Sequence, residues 1–175
     1  RDDIDALARL LDPGDFRQTL EKFALFKLND PEPLTSAEIS ALAPVTVEAE
    51  TDALLNVVAE GRTGQVGPLT RRLWAQGTAP VTLVIAATRH FRALHDAATH
   101  PRGPGAALAR QRPPVFGPRR TAMEAQARRW RPERLEQALS WLLETDLGLR
   151  SAGQTAPQHA TVERLLIRLS MRAGR

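Results

Sequence analysis

Apolar residues recur at helical spacing along almost the whole chain, and no stretch longer than a few residues alternates apolar and polar as a half-buried strand does. That periodicity restricts the chain to an all-α fold. Hydrophobic residues make up 42% of the sequence and charged residues 25%, which is enough apolar material for helices to close around a core. The 175 residues suit one domain or two small ones. Cysteine is absent, so disulfides, thiolate nucleophiles and cysteine-ligated zinc are excluded and a reducing compartment is expected.

Prolines, glycines and capping residues divide the pattern. Ile4, Leu7, Ala8 and Leu11 form a first stripe that ends at Asp12-Pro13-Gly14, after which Asp15 is expected to cap the next helix. The second helix is predicted to pack through Phe16, Leu20, Phe23 and Ala24, and Pro31 and Pro33 break the chain beyond it. Thr35 or Ser36 caps a short helix through Ile39 and Leu42, with Glu38 in the capping-box position, and Ala43-Pro44 stops it. Periodicity resumes at Thr51. Leu54, Leu55, Val58 and Ala59 run to Gly61, then Leu69, Leu73 and Trp74 run to Gly77, and each glycine suits a left-handed C-terminal cap.

Pro80 opens a further helix whose inward face carries Val84, Ala87, Phe91 and Leu94. Arg89 and Arg92 then fall on its outer side. Residues 101–118, rich in proline and glycine, read as a connector with one short helical turn around Ala106 to Ala109. Helices follow over Ala122 to Trp130 and, beyond Pro132, over Leu135 to Leu149. Gly153 to Pro157 reads as a polar loop, and a last helix carries Val162, Leu165, Leu166 and Leu169.

Charge divides the chain as well. Residues 1–50 carry 5 basic and 11 acidic side chains, whereas residues 51–175 carry 19 basic and 9 acidic. With Pro44 and the restarted periodicity, this places a boundary near residues 44–48: a small three-helix region over 1–44 and a helical domain over 45–175. Between Arg102 and Arg134 nine arginines face only Glu124 and Glu133, a balance that attracts phosphates or an acidic protein surface. Arg110, Arg112, Arg119 and Arg120 are the candidate contacts. A helical nucleic-acid-binding domain using residues 102–134 is therefore one reading of the chain.

Catalytic patterns are missing. Gly61, Gly64 and Gly67 form G-x-x-G-x-x-G without a preceding strand or a following lysine, which reads as a flexible turn between helices rather than a phosphate loop. His90, His95 and His100 recur every five residues and rotate by about 140° each, so they share no helical face and form no metal site. His90 reads as a surface or boundary residue. No Gly-x-Ser-x-Gly elbow occurs, and Glu133, Glu136, Glu144 and Asp146 suit the polar face of one amphipathic helix. Trp74, Trp130 and Trp141 are expected in helix packing. No catalytic residue, cofactor site or intrinsic enzymatic activity is expected. The longest apolar run, Leu83 to Ala87, is far below the roughly 20 residues that span a bilayer. A cytoplasmic protein without a membrane partner is expected, and the start at Arg1 within a helical pattern implies a portion of a longer protein.

The order of several short motifs carries more information than any one of them. Leu20-Glu21-Lys22-Phe23-Ala24-Leu25-Phe26 is followed by Leu34-Thr35, Asp52-Ala53-Leu54, Gly77-x-x-Pro80, Arg89-His90-Phe91-Arg92-Ala93-Leu94 and Pro113-Pro114-Val115-Phe116. This succession resembles the bacterial DNA polymerase III delta-subunit family of the sliding-clamp loader over nearly the whole chain. Leu20, Glu21 and Lys22 match the first three residues of the family's leucine-glutamate-lysine-leucine helix, and Phe91 and Leu94 its phenylalanine-arginine-x-leucine motif. At Arg150 the family usually has lysine.

The resemblance implies that residues 1–44 are the end of a lid domain related to AAA+ proteins and that residues 45–175 form the collar. The collar would join gamma/tau and delta-prime subunits in a complex acting on primed DNA. The β sliding clamp would be met only through an N-terminal domain outside these residues. Arg89 and Arg92 are the candidate interface residues.

Overall fold

The computed structural model describes residues 2–43, 47–111, 115, 117–153 and 155–173. Ten α-helices and no strand are found among them, as the periodicity predicts. The chain divides into two compact units, Arg1–Val45 and Thr46–Arg175.

The first unit holds α1 (Asp2–Leu10), α2 (Pro13–Phe26) and α3 (Ser36–Leu42). Asp12 caps α2, its Oδ1 accepting from the Gly14 and Asp15 amides at 2.8 and 2.9 Å, with Pro13 in the first turn. The cap thus lies three residues before the expected Asp15, because Pro13 fits a first-turn position that needs no amide. At α3 the capping box forms as expected: the Glu38 amide donates to Thr35 Oγ1 at 3.2 Å and the Thr35 amide to Glu38 Oε2 at 2.8 Å.

The buried face of α2 differs from the expectation. Thr19 and Phe23 are buried, whereas Leu20 is 38% exposed and Ala24 lies at the surface. Thr19 tolerates burial because its hydroxyl donates to the Asp15 carbonyl at 2.7 Å. Leu25, Phe26 and Leu28 are exposed too.

The second unit holds α4 (Val47–Ala59), α5 (Thr63–Ala75), α6 (Pro80–Thr99), α7 (Pro104–Ala109), α8 (Gly117–Arg129), α9 (Pro132–Arg150) and α10 (Gln158–Ala173). α6 is central and packs against α4, α7, α8, α9 and α10. Its Leu83, Ala87, Phe91, Leu94 and Ala97 are fully buried. α4 starts four residues before Thr51, with Glu48 and Glu50 in a first turn where acidic side chains oppose the helix dipole favourably.

The G-x-x-G-x-x-G segment is not a turn throughout. Only Gly61 bends the chain, at φ 74°, while Gly64 and Gly67 lie inside α5. A side chain at Gly67 would meet only the flexible ends of Glu163, at 3.1 Å, and Arg71, at 3.2 Å. Gly77 closes α5 at φ 82°. Among the described residues no helix is long and apolar enough to cross a membrane.

Candidate functional site

The outer stripe of α6 follows from its inner one. With Leu83, Ala87, Phe91 and Leu94 turned inward, Thr82, Ile85, Arg89, Arg92, Asp96 and Thr99 form a continuous exposed line. Arg89 and Arg92 carry charge on this line without forming an ion pair to any described residue. Ile85, one turn away, is 44% exposed. Arg89 and Arg92 thus present their guanidinium groups to solvent beside an exposed apolar side chain.

Phe91 and Leu94 stand behind this surface. Phe91 packs edge to face on Trp130, with ring centroids 5.2 Å apart, and next to His90 at 5.9 Å. Trp130 Nε1 donates to the Ala59 carbonyl at 2.8 Å, so the end of α4 is tied to the residue that follows α8.

His90 is buried rather than at the surface, at 4% exposure. Its Nε2 lies 3.1 Å from Gln126 Oε1, and Gln126 Nε2 donates to Asn56 Oδ1 at 2.9 Å and to Glu60 Oε1 at 3.3 Å. Because Gln126 Oε1 is an acceptor, Nε2 carries the proton, and the buried Nδ1 has no partner. Burial, reinforced by the Arg119 charge and opposed by the Gln126 hydrogen bond, lowers the His90 pKa to about 4. The ring is neutral at pH 7. A polar chain thus runs from buried His90 on α6 through buried Gln126 on α8 to Asn56 and Glu60, which are half-buried.

The basic connector is partly self-neutralised. Arg119 pairs with Asp52, and Arg120 donates to Glu124 Oε1 at 3.0 Å and to the Gly105 carbonyl at 3.1 Å. Burial raises the Asp52 pKa; the Arg119 charge opposes this and Glu48 adds to it. Arg110 is exposed at the end of α7. Arg112 lies outside the described residues. Two of the four candidate contacts thus already hold carboxylates, which lessens the charge they offer to phosphate.

The Leu20-Glu21-Lys22 stretch of α2 lies in the other unit. Glu21 Oε1 accepts from Arg17 Nε at 3.1 Å on the surface, and Lys22 Nζ donates to the Leu42 carbonyl at 2.9 Å, tying α2 to the end of α3. Lys27 bridges Asp30 and Glu38, the latter at 3.0 Å.

The remaining histidines are dispersed: His95 Nε2 lies 3.7 Å from Glu136 Oε1, His100 Nδ1 accepts from the Arg102 amide at 3.1 Å, and His159 meets Trp74 edge to face with ring centroids 4.7 Å apart. No group of three metal-binding side chains stands together among the described residues.

No family model and no curated protein matches the chain. Among solved structures it is similar in fold to the Bacillus subtilis DNA clamp loader delta protein (YqeN), with a TM-score of 0.65 at 18% sequence identity. The likeness covers 89% of this chain and 45% of that one, so this chain spans a little under half of that protein's length.

Proposed function

We propose that the chain is part of a clamp-loader delta-type subunit of the DNA polymerase III holoenzyme, with residues 1–44 ending its lid region and residues 45–175 forming its collar. The observation that carries this reading is the fold likeness to a clamp loader delta protein over 89% of the chain. The ordered sequence motifs support it. In this role the collar holds gamma/tau and delta-prime in the loader, and a further N-terminal domain engages the β sliding clamp so that the complex loads it onto primed DNA. The chain contributes no catalysis of its own and works in the cytoplasm with the replication machinery at the nucleoid.

Arg89 and Arg92, with Ile85 beside them, form the surface through which the collar meets a neighbouring subunit. Their exposure and lack of ion pairs leave them available, and Arg is among the residues enriched where protein surfaces bind. The test is co-elution of the chain with gamma/tau and delta-prime on size exclusion, comparing the wild type with Arg89→Glu/Arg92→Glu. The double variant is expected to lose co-elution while keeping its helical circular dichroism. Undiminished co-elution would remove these arginines from the interface, and absence of wild-type co-elution would count against the collar assignment.

A further inference from the structure

Between α9 and α10 the surface opens into a groove of about 460 Å³, lined by Trp141, Arg164, Ile167, Arg168, Met171 and Arg172. The three arginines stand four residues apart on α10, at intervals of roughly 6 Å along one side of the helix. Arg168 stacks on Trp141, its guanidinium carbon 3.6 Å from the ring centroid. Stacking occupies the flat face of the guanidinium and leaves its N–H edge open to a ligand. Arg172 donates to Gln137 Oε1 at 2.9 Å, while its buried Nε has no partner.

None of the three forms an ion pair with a described carboxylate. Elsewhere in this unit Arg71, Arg119, Arg120, Arg128 and Arg150 each do. The groove is therefore lined by three cations and no anion, with Ile167 half-buried and Met171 exposed beside them.

We propose that this groove docks an acidic segment of a partner polypeptide, its carboxylates paired with Arg164, Arg168 and Arg172 and an apolar side chain laid on Ile167 and Met171. Charge complementarity selects an anionic occupant, and arginine holds carboxylates through paired N–H bonds. The apolar half of the lining selects a polypeptide over a nucleic acid. Single-stranded nucleic acids gain affinity by stacking bases on open aromatic faces, and Arg168 already covers Trp141. Arginine, tryptophan and methionine are also enriched at protein interfaces. The inference stands on the groove itself and does not depend on the clamp-loader reading.

Fluorescence anisotropy with the complete 175-residue chain tests it. The probe is a labelled synthetic helical peptide with glutamate at every fourth position and leucines beside them, compared with its glutamine counterpart and with a single-stranded thymidine oligonucleotide. Saturable binding of the glutamate peptide is expected, weakened about tenfold by glutamine replacement and about tenfold by Arg168→Glu. Arg164→Glu, at an exposed position without a polar partner, gives the same loss with unchanged circular dichroism. Absent binding by the wild type, or binding by both variants as tight as that of the wild type, overturns the proposal. Tighter binding of the oligonucleotide than of the peptide overturns it in favour of a nucleic-acid site.

Discussion

Phe91 meets Trp130 edge to face, with ring centroids 5.2 Å apart and planes at 83°, and the two rings join the central helix α6 to the end of α8. Neither ring has room to relax: Phe91 is fully buried and Trp130 is 3% exposed. Phe91→Ala is expected to destabilise the second unit by about 3–5 kcal/mol, because the cavity of a deleted core aromatic collapses only partly. Urea denaturation followed by circular dichroism measures it, and an unchanged midpoint would contradict the central place given to Phe91.

Trp130→Phe separates ring packing from the polar contact. The indole N–H donates to the Ala59 carbonyl at 2.8 Å in a buried setting. Loss of that donor leaves the carbonyl at the end of α4 without this partner, at an expected cost of about 1–3 kcal/mol. A stability equal to wild type in the same denaturation experiment would show that the hydrogen bond contributes nothing net.

His90 gives the fold an acid sensitivity whose sign is fixed by its environment. Its folded pKa, about 4, lies below the ordinary value of 6.5, so between these two values the unfolded chain binds the proton more readily. Stability from this group is complete above pH 6.5 and is lost as pH falls toward 4. The loss amounts to about 3 kcal/mol at most. His90→Gln removes the titration, and the difference in urea midpoint between pH 7 and pH 4.5 should shrink relative to wild type. An identical pH dependence in the variant would refute the assignment.

Arg119→Glu should lower stability modestly while leaving the helices formed. The substitution replaces an ion pair to Asp52 with two carboxylates, and Glu48 already disfavours charge there. Because the Arg119 side chain is 46% exposed, solvent screening limits the effect to about 0.5–1 kcal/mol. Restoration by Asp52→Lys in the Arg119→Glu background would verify the pairing, and additive losses would disprove it.

Helix existence was legible in the sequence because burial imposes a 3.6-residue repeat, and Pro80, Gly77 and the Thr35–Glu38 box marked ends by their own backbone chemistry. Helix faces were legible where apolar and polar residues separated cleanly, as in α6 with Phe91 inside and Arg92 outside. They were ambiguous in α2, where Thr19 hides its hydroxyl on Asp15 and so takes the inner place expected for Leu20. Polar residues that satisfy one another at long range leave no local signature: nothing near His90 in sequence announces Gln126, Asn56 or Glu60. The α10 groove had a visible element, arginines at 164, 168 and 172, but its meaning depends on Trp141 from another helix.

The proposed role as an assembly module of a clamp loader is checked by the molar mass of the chain's mixture with gamma/tau and delta-prime subunits. Light scattering coupled to size exclusion is run at moderate and at high salt. One peak is expected whose mass equals a stoichiometric complex and which persists at high salt, since buried apolar contacts are little screened by ions. Separate elution of the chain at its own 19.2 kDa mass under both conditions would contradict it.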